Sequence, residues 1–145
     1  MPNTPKPPKP PVRPVVLIVE DSVDFSNLLK FIVEDDGCDA IQFPIQSDDI
    51  TGWAIKHRPS AILMDLALGR KGGMDFIERL KADPETSTIA IIIISGRDLP
   101  FKDVVALQAR GVRYLRKGRV EMDEIRGAIK EAVAATEPPV KGKKN

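Results

Sequence analysis

Five short apolar runs, each followed by a segment of helical periodicity, constrain the fold of this chain most strongly. Most of the runs are rich in β-branched residues and lack polar alternation, which is typical of strands buried on both faces. They lie at residues 15–19, 39–43, 61–64, 89–94 and 112–115. Five strands alternating with five helices predict an α/β fold, in which helices cover both faces of a parallel five-stranded sheet in three layers.

The segment after the first run illustrates the helical pattern. Its apolar residues recur at the i, i+3, i+4, i+7 and i+8 positions of one helix face. They are Phe25, Leu28, Leu29, Ile32 and Val33. This spacing predicts a helix that faces the core, with Asp21 or Ser22 as its N-cap.

The length of 145 residues suits one folded domain with a tail at each end. Residues 1–14 hold seven of the 13 prolines, interleaved with basic residues, and predict a flexible polyproline-like tail. Residues 137–145 form a basic C-terminal tail, which leaves residues 15–136 as the predicted domain.

Charge, cysteine content and hydropathy narrow the class of protein. The two tails hold six of the 22 basic residues, so the predicted domain is mildly acidic, which argues against a nucleic-acid-binding surface. Cys38 is the only cysteine, as expected in a reducing cytoplasm. No apolar run approaches the ~20 residues of a membrane span. These features predict a cytoplasmic protein without nucleic-acid or membrane partners.

Four of the apolar runs end in residues that can carry chemistry. Glu20 and Asp21 follow the first run, Asp65 follows the third, Ser95 follows the fourth, and Lys117 comes shortly after the fifth. Because the carboxyl ends of parallel strands share one side of a sheet, we expect these side chains to converge there.

The three carboxylates predict a magnesium site. Glu20, Asp21 and Asp65 would repel one another without a counter-charge, and Mg²⁺ prefers such oxygen ligands. Asp21 and Asp65 are candidates for direct ligands, and Glu20 for a ligand through water. Asp65 is the candidate nucleophile, which would form an acyl phosphate, while Ser95 and Lys117 would contact phosphoryl oxygens. Taken singly, Asp21 is a helix cap, Ser95 a loop residue and Lys117 a solvated cation; their joint occurrence favours a site.

Over about residues 14–135 the chain resembles the receiver domain of two-component response regulators. The resemblance depends on the acidic pair, the acceptor Asp, the Ser and the Lys, with gaps of 44, 30 and 22 residues between Asp21, Asp65, Ser95 and Lys117. Gly73 also stands eight residues after Asp65, and Tyr114 stands three residues before Lys117, as in that family.

The resemblance implies a flavodoxin-like fold with strand order 2-1-3-4-5. It implies Asp65 as phosphoacceptor, and Mg²⁺ held by Asp21, Asp65 and the backbone carbonyl of Ala67, with Glu20 completing the acidic pocket. Ser95 and Tyr114 would act as the switch that changes the surface formed by the fourth helix, fifth strand and fifth helix.

The partners that the resemblance implies are a histidine kinase or a histidine phosphotransfer protein as phosphoryl donor. A downstream protein target would bind the switched surface, and dimerisation with a second copy of the chain is an alternative output. No enzymatic turnover is implied beyond self-catalysed phosphoryl transfer and autodephosphorylation.

The sequence departs from the family pattern near the acceptor and near the lysine. Gly118 stands where a proline commonly follows the lysine, which leaves the geometry of that loop open. Ala67 offers no side chain to orient or block water, and Arg97 stands two residues after Ser95. We therefore hypothesise an altered rate of phosphoryl loss from Asp65.

Three alternatives stay open on sequence grounds. An aspartyl-nucleophile phosphatase or phosphotransferase of the haloacid-dehalogenase type would place a second Asp where this chain has Ala67. A flavin-binding module would need a hydroxyl- and glycine-rich loop where Glu20 and Asp21 stand. A pseudo-receiver would take no phosphate, and the complete set of four site residues argues against it.

Overall fold

Five parallel strands form a single sheet in the computed structural model, which describes residues 13–66, 72–96, 98–118 and 122–136. The strands are β1 (Val15–Val19), β2 (Asp39–Gln42), β3 (Ala61–Met64), β4 (Ala90–Ser95) and β5 (Val112–Arg116). Their order across the sheet is β2-β1-β3-β4-β5, and every pairing is parallel. The predicted flavodoxin-like order is confirmed, with the less apolar β2 at an edge.

A helix follows each strand, as the periodicity predicts. The helices are α1 (Val23–Asp35), α2 (Ile50–His57), α3 (Gly72–Ala82), α4 (Phe101–Ala109) and α5 (Met122–Thr136). The start of α1 is set by Ser22, whose side-chain oxygen accepts a hydrogen bond from the backbone N–H of Phe25. Such a cap satisfies one of the donors that the first turn of a helix leaves without an intrahelical partner.

Two hydrophobic clusters, one on each face of the sheet, produce the three layers. Because successive strand residues point to opposite faces, Leu17 and Ile62 pack with α2, α3 and α4, whereas Ile18 and Leu63 pack with α1 and α5. All four of these side chains are fully buried. This double burial explains why the strands read as continuous apolar runs.

Leu28 corrects one detail of the predicted core. Leu29, Ile32 and Val33 are buried, but Leu28 is 39% exposed. An α-helix turns about 100° per residue, so Leu28 lies well to the side of the buried arc centred on Leu29. Leu28, at the i+3 position from Phe25, fits the helical spacing of the apolar residues but is not part of the core.

The predicted tails cannot be compared with the structure in the same way. Residues 1–12 and 137–145 lie outside the described residues, so the boundaries of the tails stay predictions. Among the described residues, none of the helices has the length and apolarity that crossing a membrane requires.

Candidate functional site

The ends of β1, β3, β4 and β5 meet at one side of the sheet, as expected for parallel strands. The backbone N–H of Asp65 donates to the carbonyl of Val19 over 3.1 Å, which ties the end of β3 to the end of β1. The backbone N–H of Lys117 donates to the carbonyl of Ser95 over 2.7 Å, which ties the residue after β5 to the end of β4. The sheet ladder therefore positions the residues that carry the candidate site.

Glu20, Asp21 and Asp65 form an acidic cluster at this side of the sheet. One carboxylate oxygen of each residue lies within 4.8 Å of the others. Glu20 and Asp65 are buried, at 7% and 6% exposed, whereas Asp21 is exposed. Two inner carboxylates and one carboxylate open to solvent provide hard oxygen ligands beside room for water, which suits a divalent cation such as Mg²⁺.

Lys117 supplies the counter-charge that the isolated carboxylates lack. Its Nζ lies 3.2 Å from Glu20 Oε1 and 3.5 Å from Asp65 Oδ2. On sequence grounds the three carboxylates need a cation from outside the chain; the structure places an ammonium group against the two buried ones. Without that group, desolvation and mutual repulsion would make two adjacent buried carboxylates costly to ionise.

Burial raises the pKa of the Glu20 carboxyl above its ordinary value. Two hydrogen bonds act in the opposite direction, one from the backbone N–H of Ser22 to Oε2 over 2.9 Å and one from Lys117. Glu20 is thus held in place by two hydrogen-bond donors in the buried part of the acidic cluster.

Ser95 and Tyr114 lie on neighbouring strands behind this cluster. Ser95 is fully buried as the last residue of β4, and the register pairs it with Arg116. Tyr114 is paired with Ile93 and is half-buried against the hydrophobic cluster shared with α3 and α4. Ser95 therefore ends the strand next to β3, which leads to Asp65, and Tyr114 lies one strand further along the sheet.

Gly118, the residue after Lys117, determines the backbone conformation at this point of the chain. Gly118 has φ of +87°, a conformation that favours glycine, and the described peptide bonds contain no cis bond. Gly118 thus has a backbone conformation that proline, which the family pattern commonly has at this position, cannot adopt. Ala67 and Arg97 lie outside the described residues, so the predictions made for them are not tested.

Sequence reasoning missed one side chain of the site, Phe25. The ring of Phe25 lies under the Lys117 ammonium, with Nζ 4.3 Å from the ring centroid. From the apolar spacing, Phe25 is predicted only to lie on the helix face that meets the core. Its location four residues after Asp21, in the first turn of a helix that begins beside the site, was the available signal.

Gly73 was noted only through the family resemblance, and its packing gives it a physical reason. A Cβ added there would lie 2.7 Å from the carbonyl oxygen of Asp65 and 2.9 Å from Cα of Leu66. The backbone N–H of Gly73 also donates to the carbonyl of Leu66 over 2.7 Å. The start of α3 thus lies directly against the acceptor segment, and only glycine leaves room for it.

This contact predicts the effect of Gly73→Ala. The backbone would have to shift, so we expect the free energy of unfolding to fall by about 1–3 kcal/mol in urea denaturation. Gly127→Ala is the matched control, because a Cβ there meets open space within α5 and should stabilise by about 0.5–1 kcal/mol. Equal effects of the two substitutions would contradict the packing argument.

Comparison with known proteins identifies the family. A family model described as the response regulator receiver domain matches residues 16–130, which is most of the chain. The chain belongs to the response regulator receiver family. The resemblance that was inferred from the residues is thereby confirmed, and the chain is a receiver domain of the two-component type, a class that typically accepts phosphate without being an enzyme.

Two curated proteins are similar in sequence to this receiver domain over most of its length. The KDP operon transcriptional regulatory protein KdpE of Escherichia coli is 29% identical over 126 residues, which cover 85% of this chain and 54% of that protein. Protein PilH of Pseudomonas aeruginosa is 28% identical over 102 residues, which cover 70% of this chain and 84% of that protein. The receiver domain thus spans about half the length of KdpE and most of the length of PilH.

Solved structures agree on the fold. A signal receiver domain of a LuxO-type repressor protein from Vibrio parahaemolyticus matches with a TM-score of 0.72 at 24% identity, covering 85% of this chain and 92% of that one. A sensor protein from Polaromonas gives the same TM-score at 21% identity and covers 85% and 98%. The Mn²⁺-bound form of the response regulator Rcp1 matches with a TM-score of 0.65 at 23% identity and covers 88% and 99%.

Proposed function

We propose that this receiver domain accepts a phosphoryl group on Asp65 from a histidine kinase or a histidine phosphotransfer protein. The observation that carries the proposal is the environment of Asp65, a buried carboxylate within reach of both an ammonium group and two further carboxylates. A buried acid with a purely structural role would need a counter-charge but not the acidic pair beside it. The unit that performs this function is proposed to be residues 15–136.

The proposed reaction is an in-line displacement at phosphorus. A carboxylate oxygen of Asp65 forms the new P–O bond, the P–N bond to the donor imidazole breaks, and the departing ring nitrogen takes up a proton. With a small donor such as acetyl phosphate, the bond that breaks is the P–O bond to acetate. Little covalent work is left to the protein, so positioning and charge stabilisation dominate.

Lys117 and Ser95 are proposed to hold the transferred group. The Lys117 ammonium already lies 3.5 Å from Asp65 Oδ2, so a short movement would bring it to an oxygen of a phosphoryl group on that carboxylate. Ser95 ends the adjacent strand and offers a hydroxyl donor to another oxygen. Fixed donors at the place where negative charge develops are the largest source of acceleration in such reactions.

The acidic cluster is proposed to hold Mg²⁺ through Asp21, Asp65 and the backbone carbonyl of Ala67, with Glu20 acting through water. Such a cation offsets the charge of the carboxylates and of the phosphoryl group. Asp21 suits this role because it is exposed and carries no role in the core.

The output is proposed to be a change of the surface formed by α4, β5 and α5. A phosphoryl group adds negative charge and strong acceptors, which would draw Ser95 toward it and let Tyr114 rotate into the space that opens. A downstream protein, or a second copy of this chain, would bind the altered surface. A cytoplasmic location is part of the same proposal.

A test of the proposal is incubation with acetyl phosphate and Mg²⁺, followed by intact-mass measurement. We expect the mass to rise by one phosphoryl group. A phosphorylation-independent pseudo-receiver would gain nothing, and an aspartyl phosphatase would turn over the donor continuously without accumulating an adduct.

Removal of divalent cations should reduce this uptake to background. Chelation with EDTA takes away the charge that offsets the carboxylates and the donor. Asp21→Asn should in turn raise the Mg²⁺ concentration needed for half-maximal uptake by about tenfold or more, because loss of even an outer-shell partner of a metal ligand lowers metal affinity by about 10–100-fold. Asp24→Asn, an exposed acid in the first turn of α1, is the control and should change neither value. Uptake that persists in EDTA would contradict the assignment of the acidic cluster.

A further inference from the structure

Phe25 has a contact that its place in the helix does not require. It lies in the first turn of α1, it is half-buried against the cluster under α1 and α5, and its ring faces the Lys117 ammonium at 4.3 Å. That distance is well within the range in which the negative face of an aromatic ring attracts a cation. Lys117 therefore has the Phe25 ring and the carboxylates of Glu20 and Asp65 as close neighbours.

These contacts belong to a closed circuit of neighbouring residues that includes Lys117. The backbone N–H of Ser22 donates to Glu20 Oε2 over 2.9 Å, and the Ser22 hydroxyl oxygen accepts from the backbone N–H of Phe25 over 3.3 Å. The Phe25 ring meets Lys117, and Lys117 Nζ lies 3.2 Å from Glu20 Oε1. Ser22, the cap of α1, thus connects Glu20 of the acidic cluster to Phe25, whose ring contacts the Lys117 ammonium.

We propose that Phe25 is a positioning residue, whose ring holds the Lys117 ammonium against Asp65 ready for the phosphoryl group. This inference rests on the proposed function of Asp65. A lysine side chain has four flexible bonds and a strongly hydrated ammonium group. A ring in contact with the ammonium limits the rotamers of the lysine and replaces part of its hydration.

The first test is the rate of phosphorylation by acetyl phosphate at saturating Mg²⁺. Phe25→Leu keeps an apolar side chain but removes the ring face, and we expect the rate constant to fall about threefold to tenfold. Phe25→Tyr keeps the ring and should stay within about twofold of the parent. Phe31→Leu, at an exposed phenylalanine of the same helix, is the control and should leave the rate unchanged.

A double-mutant cycle separates positioning from packing. If Phe25 acts through Lys117, adding Phe25→Leu to Lys117→Ala should cause no further loss. Multiplicative losses in the double variant would overturn the inference while leaving the proposed function intact. Failure of the parent protein to take up phosphate would overturn both.

A second measurement does not depend on phosphorylation. In the metal-free protein, the ring current of Phe25 should shift the ε-methylene protons of Lys117 upfield in the NMR spectrum. The shift should persist in Asp65→Asn and disappear in Phe25→Leu. Lysine protons at ordinary positions in the folded parent protein would overturn the inference, whatever the kinetic result.

Discussion

Replacing Asp65 by Asn should abolish phosphoryl uptake from acetyl phosphate. The amide group of Asn is not a competent nucleophile toward phosphorus, and the other two carboxylates of the cluster have different environments. Glu20 accepts hydrogen bonds from Ser22 and Lys117, and Asp21 is exposed. We therefore expect no transfer of the acceptor role to a neighbour, and an intact mass that stays unchanged in the presence of Mg²⁺ and excess donor.

The control for this experiment is Asp103→Asn on α4, which removes one exposed carboxylate of the first turn of that helix. Uptake by this variant should equal that of the parent. Thermal unfolding of Asp65→Asn must show an intact fold, so that loss of uptake is assigned to chemistry. Uptake by Asp65→Asn at the rate of the parent would mean that another residue is the acceptor.

Replacing Lys117 by Ala should lower the rate of phosphorylation by about 10²–10³-fold, the effect of removing one fixed donor from a developing charge. The loss arises because the ammonium lies beside the acceptor oxygen before the reaction and needs little reorganisation. Time courses of the intact mass at saturating Mg²⁺ would give the rate constants. The acidic cluster keeps all three carboxylates, so residual uptake should still depend on Mg²⁺.

Lys102→Ala, an exposed lysine on α4, is the matched control and should leave the rate unchanged. Lys117→Arg keeps the positive charge but replaces a compact ammonium by a planar group. The rate of phosphorylation of Lys117→Arg should lie between the rates of Lys117→Ala and the parent. A rate for Lys117→Ala within a factor of two of the parent would contradict a role in transfer.

The architecture was predictable from the sequence because buried parallel strands and amphipathic helices leave different periodicities. The continuous run ending at Met64 indicates a strand buried on both faces, and topology then brings Asp65 to the same side as Lys117. The topology was therefore enough to predict that the residues following these strands gather at one side of the sheet.

The details that could not be predicted depend on side-chain geometry between distant elements. Nothing in a helical stripe distinguishes Leu28, which is exposed, from Leu29, which is buried. Likewise, the pairing of Lys117 with Glu20, 97 residues away, depends on how two loops approach each other. The contact of Phe25 with the same lysine could not be predicted either, because it depends on the angle at which α1 is rotated about its own axis.

The most direct test of the central claim is the location of the acyl phosphate. Borohydride reduces an aspartyl phosphate to homoserine with release of phosphate, so the modified residue can be read by tandem mass spectrometry of a peptide digest. We predict homoserine at position 65 after treatment with acetyl phosphate and Mg²⁺, and Asp at that position without the donor. Homoserine at Asp21 instead, or a phosphorylated protein with Asp65 unreduced, would contradict the assignment of Asp65 as the acceptor.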